Sequence, residues 1–260
     1  TKSTPSHSRG LEGLSSMLVG RETQLALLED RLRDLDAGIG STIAVTGAVG
    51  LGKSTLIAEV KKSDKRTRHT WLEGDSHSYT HSFSYYPWRQ IIRQSVEAEE
   101  SDSPAEVRQK LGYACDCCTL PGGDIPFLEA MLAIENEESA KVVMGYQGDA
   151  LSRRMIDATR GFLCGLAIVT LLVIVFDVLH CAVESSLQLL LEVVDLSTTH
   201  PILFVCMLRP DQAASGWTFI QAIGEKLKEG FHSIALAPLH TDQTNTLLDN
   251  LLGTEGLSIS

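Results

Sequence analysis

Between residues 22 and 37, Leu25, Leu28, Leu32 and Leu35 recur at helical spacing with charged residues between them. The pattern predicts an amphipathic helix that stops before Gly38 and Gly40. The period then changes. Residues 41–46 (STIAVT) are apolar and β-branched, a glycine-rich turn follows, and 53–62 has helical character, so the order is strand, loop, helix. Further apolar runs at 70–73, 171–177, 202–208 and 233–239 read as strands, with helical patterns at 184–196 and 218–229 between the later ones. Strands that are apolar almost throughout need cover on both faces. Alternating with helices, they predict a three-layer α/β fold around a five-stranded, mainly parallel sheet.

The stretch from about 75 to 166 is too long for a simple crossover and carries helical patches near 87–97, 104–111, 126–134 and 149–164. It reads as a helical insertion. Residues 1–16 are rich in Ser, Gly and small polar residues and read as a linker. The segment 241–252 opens on a capping-type threonine and carries Leu247, Leu248, Leu251 and Leu252. It reads as the first helix of a lid-like element, incomplete within 241–260, which leaves 17–240 as the main domain. There is no internal repeat.

Composition narrows the function classes. With 33 acidic and 22 basic side chains, the 260-residue chain carries a net charge of −11, which argues against a protein built to grip nucleic acid or anionic lipid. The apolar uncharged run 161–176 has 16 residues, short of the roughly 20 that a membrane helix needs. Cysteines at 115, 117, 118, 164, 181 and 206 show no even spacing and no leader precedes them, so a reducing, cytoplasmic setting is expected.

The chemistry begins at residues 47–54, Gly-Ala-Val-Gly-Leu-Gly-Lys-Ser, which fit G-x-x-x-x-G-K-[ST] between a predicted strand and a predicted helix. Gly47, Gly50 and Gly52 let backbone N–H groups close around a phosphate, Lys53 neutralises the β/γ-phosphates, and Ser54 can hold Mg²⁺. Such a loop needs a second carboxylate at the end of another strand, and Asp177, closing the run LLVIVF, has that position. The following residue is Val178, which cannot accept a proton from an attacking water. Arg209 ends the run FVCML and, in a parallel sheet, emerges on the same edge as the loop. Glu184 and His180, after Asp177, are candidate substitutes for the missing base.

Other features read more plainly. Cys115, Cys117 and Cys118 lack C-x2-C spacing and a second ligand pair, so they read as incidental thiols. Lys61, Lys62, Lys65, Arg66 and Arg68 have no interleaved aromatics and read as a solvated segment after the second helix. Tyr79, Tyr85, Tyr86 and Trp88 read as packing for the insertion.

These motifs, with RGLEGLSSMLVGRE (9–22), TGAVGLGKSTLIAEV (46–60), SYYPWRQIIRQ (84–94), VFDVLHCAVESSLQLLLEVVD (175–195), FVCMLRP (204–210) and LAPLHTDQTNTLLDNLL (236–252), cover nearly the whole chain. The chain resembles the AAA-like signal-transduction ATPases, the STAND group of P-loop NTPases with an origin-recognition-like ATPase domain. In particular it is similar to the ATPase module that follows class III adenylate/guanylate cyclase domains in bacterial multidomain regulators. The resemblance implies a five-stranded sheet with the phosphate-loop strand central, ATP and Mg²⁺ as ligands, and nucleotide state used as a switch for an attached cyclase or other effector domain and a helical-repeat region, with self-association. It implies that Gly47, Gly52, Lys53, Ser54 and Thr55 bind phosphates and metal, that Asp177 is the Walker B carboxylate, that Arg209 is the sensor, and that Val19, Gly20 and Arg21 lie by the adenine. Where relatives read an acid and then L-H-W-A-D, this chain has Val178, Cys181 and Val183.

The expected function is therefore an ATP-binding regulatory module with slow or absent hydrolysis. Two alternatives stand beside it: a Mg²⁺-dependent ATPase using Glu184, His180 or a partner's residue as base, and an interaction module whose nucleotide site has decayed.

Overall fold

A computed structural model describes residues 18–64, 69–76, 84–177, 183–210 and 215–252. The linker 1–16 and Lys65, Arg66, Arg68, Tyr79, Val178, His180 and Cys181 lie outside them. In chain order the elements are α1 (Glu22–Asp36), β1 (Ser41–Thr46), α2 (Lys53–Ser63), β2 (His69–Asp75), α3 (Tyr86–Ser95), α4 (Pro104–Cys117), α5 (Ile125–Met131), α6 (Glu137–Met144), α7 (Asp149–Val169), β3 (Leu171–Asp177), α8 (Glu184–Val193), β4 (Ile202–Leu208), α9 (Ser215–Leu227), β5 (Phe231–Ala235) and α10 (Thr241–Leu252). The five strands form one sheet in the order β2-β3-β4-β1-β5, and every pairing is parallel. β1 is interior, between β4 and β5, while β4 is the middle strand.

Side-chain alternation sorts the core into two layers. Val173, Val175, Leu203, Val205, Met207, Ile43 and Val45 face α1 and α2, where Leu28, Leu32, Leu35, Leu56, Ile57 and Val60 are buried. Leu172, Ile174, Phe176, Ile202, Phe204, Cys206 and Leu208 face the other way, onto Trp88, Leu111, Phe127, Phe162, Leu187 and Ile223 from the insertion, α8 and α9. Each fully buried leucine or phenylalanine contributes about 1.5–3 kcal/mol of transfer free energy. Trp88 meets Phe176 edge to face at 4.9 Å and donates its indole N–H to the Ser186 carbonyl at 3.1 Å, so the largest core side chain is also polar-satisfied.

The edge strand β2 would expose unpaired backbone groups. Helix α3 covers it with two glutamines one turn apart. The Glu73 N–H donates to Gln94 Oε1 (2.8 Å) while Gln94 Nε2 donates to the Glu73 carbonyl (2.7 Å), and the Asp75 N–H donates to Gln90 Oε1 (2.7 Å). The close approach needs Gly74, because a Cβ there would lie 2.6 Å from the Pro87 carbonyl oxygen.

Several boundaries differ from the sequence expectation. β5 runs Phe231–Ala235 and not 233–239, because its register with β1 ends at Thr46↔Ala235. The Leu236 N–H still donates to the Thr46 carbonyl at 2.7 Å, so Leu236 is buried as the chain leaves the sheet. Helix α8 tightens at Val194–Thr198 into a 3-10 turn, and α4 continues to Cys117 past the expected 111. Helix α6 was not expected at all. Its one buried residue is Ser139, which leaves no apolar periodicity to read.

A polar cluster holds α6 in place. The Glu129 carboxylate, 3% exposed, accepts from Arg108 Nε (2.9 Å), Asn136 Nδ2 (2.9 Å) and Ser139 Oγ (2.5 Å), joining α4, α5 and the start of α6. Burial pushes this carboxyl up, but the bonds from Ser139, Asn136 and Arg108 outweigh it and hold it below the usual glutamate value. Cys115 and Cys118 pack in the same lobe, and burial first, then nearby negative groups, pushes the Cys115 thiol up to about 12.

Because the Glu129 pKa is depressed on folding, its contribution is complete above the unfolded value near about 4.3 and is lost as pH falls through the folded value. Glu129→Ala is expected to lower stability at pH 7 by about 2 kcal/mol, moderated by the half-exposed Arg108. Urea unfolding of both proteins checks this, and the gap between them should narrow as the pH falls below 4.

Candidate functional site

In a parallel sheet all strands exit on one edge, and here that edge gathers the residues the sequence singles out. The loop after β1 is rooted by the Gly47 N–H, which donates to the Leu208 carbonyl of β4 at 3.3 Å. It then turns through Gly50 (φ 79°) and Gly52 (φ 86°), both in the left-handed region that glycine adopts without penalty. Gly52 occupies the position before α2, and no side chain caps the first turn of that helix. A Cβ on Gly50 or Gly52 would meet nothing within 4 Å, so it is the left-handed backbone and not crowding that asks for glycine there. The first-turn N–H groups of α2 and the helix dipole favour an anion at its start.

Lys53 folds back over its own loop, with Nζ donating to the Gly47 carbonyl at 2.7 Å and the Ala48 carbonyl at 3.2 Å. Burial pushes its ammonium below the ordinary value; Asp177 opposes that shift and Arg209 adds to it. Asp177 and Arg209 therefore both lie within electrostatic reach of Lys53. Ser54 Oγ donates to Asp177 Oδ2 at 3.1 Å, bridging the start of α2 to the end of β3. β4 lies between β3 and β1, and its last residue Leu208 pairs with Thr46, so Arg209 leaves the sheet beside Gly47. Ser54, Thr55 and Arg209 are exposed.

Arg21 has a role that sequence pattern does not disclose. It is 6% exposed, and its Nη2 donates to the Ala237 carbonyl at 2.6 Å and the Leu51 carbonyl at 3.3 Å. The side chain thus pins the loop to the segment leading into α10, and burial lowers its pKa. Gly20, at φ 68°, sits against the Gln243 side chain of α10, with Val19 half-buried before it. Glu184 is exposed at the start of α8, where the helix dipole favours an acid. Lys61 and Lys62 pair with Glu73 and Glu59. Among the described residues no group of His, Cys, Asp or Glu is arranged to hold a metal by itself, and no helix is long and apolar enough to cross a membrane.

A family model described as AAA ATPase domain matches residues 17–205. The chain belongs to the AAA ATPase domain family. Membership implies nucleotide binding, typically with Mg²⁺. Among solved structures, Cdc6p from Pyrobaculum aerophilum shares the fold, with a TM-score of 0.50 and 14% identity over 94% of this chain and 52% of its own. A STAND signal-transduction ATPase with a tetratricopeptide-repeat sensor from Pyrococcus horikoshii aligns with a TM-score of 0.39 and 11% identity, over 95% of this chain and 28% of its own. The AAA domain chain thus spans about half the length of the first structure and less of the second. No curated protein matches the sequence.

Arg21→Ala removes two charge-assisted bonds and is expected to cost about 2 kcal/mol. Arg21→Lys should recover part of the loss, because both carbonyls are reached from the single nitrogen Nη2, whose two bonds an ammonium on a slightly shorter side chain can partly replace. Hydrogen exchange should quicken in residues 47–54 and 236–243 together; unchanged exchange in both would show that Arg21 does not join them.

Proposed function

We propose that this AAA domain is an ATP-binding switch of slow turnover. The observation that carries the reading is the Ser54–Asp177 contact at 3.1 Å, which joins the loop's hydroxyl to a carboxylate 123 residues away. The donor set suits a nucleoside triphosphate with a divalent cation: the side-chain-uncapped first turn of α2, one ammonium, one hydroxyl and one carboxylate. Gly47, Gly50, Gly52, Lys53, Ser54 and Thr55 would hold the phosphates. Ser54 and Asp177 would hold Mg²⁺, which offsets phosphate charge when bound, and Arg209 would sense the terminal phosphate. Val19, Gly20 and Arg21 would lie toward the base, with Arg21 transmitting loop position to α10 through its two carbonyl contacts.

Residues 17–240 are proposed as the nucleotide module, with 75–166 as its insertion and 241–260 as the start of a lid. α10 leaves Leu248 47% exposed, which suits a helix packed against a further element. The resemblance to cyclase-associated regulators suggests an effector domain and helical repeats elsewhere in a longer protein as the readers of the switch. Val178 cannot activate water, so the residue next to Asp177 supplies no base, which is in keeping with slow turnover.

ATP with Mg²⁺ at about 100 times its Kd should stabilise the wild type by about 2.7 kcal/mol, read as a rise in melting temperature. Lys53→Ala should abolish the rise while leaving the ligand-free melting temperature close to that of the wild type. An undiminished rise in that variant would overturn the site assignment.

A further inference from the structure

We propose that Asp75, at the end of β2, supplies the water-orienting carboxylate that position 178 lacks. The inference rests on the nucleotide site proposed above. β2 pairs with β3 in parallel, and the last pair of that ladder is Asp75↔Asp177. Neighbouring strands lie about 4.8 Å apart, and residues directly opposite in a parallel ladder project to the same face. That face is the one carrying α2. Val173 and Val175 pack with α2, and Asp177 continues their alternation to reach Ser54. On β2, Glu73 reaches across the same face to Lys61 of α2, and Trp71 packs against the α2 layer; Asp75 continues that series. The two residues are therefore lateral neighbours at the exit edge, one strand apart, on the side where the phosphate loop enters its helix.

Asp75 is also held in orientation. Its Oδ1 accepts from Gln90 Nε2 at 2.5 Å while its own N–H donates to Gln90 Oε1 at 2.7 Å, so one glutamine fixes both backbone and carboxylate. The Ser76 N–H donates to the Asp177 carbonyl at 3.2 Å and keeps the two strand ends in register past the last ladder pair. Position 178 follows Asp177 directly in sequence, whereas Asp75 flanks Asp177 in space. The second route sets a carboxylate-bearing residue one strand from Asp177 without needing an acid at 178. Of the alternatives, Glu184 is exposed in the first turn of α8, where its charge suits the helix dipole, seven residues beyond the strand end.

The step itself balances simply. The oxygen of a water accepted by Asp75 forms a bond to the terminal phosphorus of the triphosphate. The bond from that phosphorus to the bridging oxygen breaks, and the diphosphate leaves with the electron pair. Both water protons finish on the released phosphate, so Asp75 orients the nucleophile and is unchanged at the end.

The experiment measures phosphate release with ATP and Mg²⁺ on the 260-residue chain, alongside ATP affinity by calorimetry and melting temperature. Asp75→Asn should lower kcat by about 100-fold, while KM and ATP affinity stay within about twofold of the wild type. Asp75→Glu, which keeps a carboxylate, should recover part of the rate. Three results would overturn the proposal while leaving the nucleotide site standing. They are a rate in Asp75→Asn within about twofold of the wild type, a wild type that binds ATP but releases no phosphate above the Asp177→Ala background, and an Asp75→Asn in which rate, affinity and melting temperature fall together. A wild type that does not bind ATP removes the site and this role with it.

Discussion

Parallel strand alignment is the constraint on which everything else here depends. Because β1, β2, β3 and β4 all run the same way, their C-terminal ends meet at one edge, and residues scattered from position 47 to position 209 become neighbours. An antiparallel partner anywhere in the sheet would send one of these ends to the opposite side. The interposition of β4 between β1 and β3 matters as much. It opens a gap of two strand spacings, roughly 10 Å, between the loop's strand and the strand bearing Asp177. The first turn of α2 spans that gap, and Ser54 closes it.

The same alternation that buries the core also decides which polar ends are available for chemistry. Odd-numbered residues of β3 face α1 and α2, and even-numbered ones face the insertion. Asp177 therefore emerges toward α2 because Val173 and Val175 are buried there; a one-residue slip would turn it toward Trp88. The register is fixed by valines, isoleucines and phenylalanines that have no part in any reaction. Ordering the site is thus a by-product of ordering the core, and it needs no dedicated polar scaffold beyond the glutamine cover on β2 and the Arg21 pin.

How much of this could be read from sequence depended on where the apolar signal lay. β1 is small, β-branched and buried, β3 and β4 are apolar up to Phe176 and Leu208, and the three run into Gly47, Asp177 and Arg209, so their limits were legible to the residue. β5 was misplaced because it is an edge strand with one deeply buried residue, Ile234, while Leu236 and Leu239 lie beyond its pairing with β1. Helix α6 was invisible because a buried polar cluster holds it: Ser139, Asn136 and Glu129 do the work that leucines do elsewhere. The glycine-rich loop between β1 and α2 was legible because its pattern is written in eight consecutive residues. Arg21 as a pin and Asp75 as a neighbour of Asp177 were not, since both depend on which strand and which segment lie next in space. No local pattern encodes that β2 flanks β3.

The net charge of the chain also takes its meaning from the two-layer arrangement. Residues 97–138 hold eleven acids against Arg108 and Lys110, nine of the eleven excess negative charges in the chain, whereas residues 1–70 carry eleven basic and eight acidic side chains. Left in one place, that acidic lobe would repel a polyanion from the loop. The insertion packs on the sheet face opposite α2, so a sheet and a helix layer about 10 Å wide stand between most of its acids and the loop. The Debye length at physiological salt is about 8 Å, so the exposed acids are screened across that separation. Several are also neutralised locally: Asp102 by Lys110, Asp124 by Arg154, and Glu129 by Arg108. The sheet therefore works as a partition. It lets one chain carry a strongly acidic lobe, suited to a solvated or partner-facing role, and a loop of positive character suited to a phosphate, without either field cancelling the other.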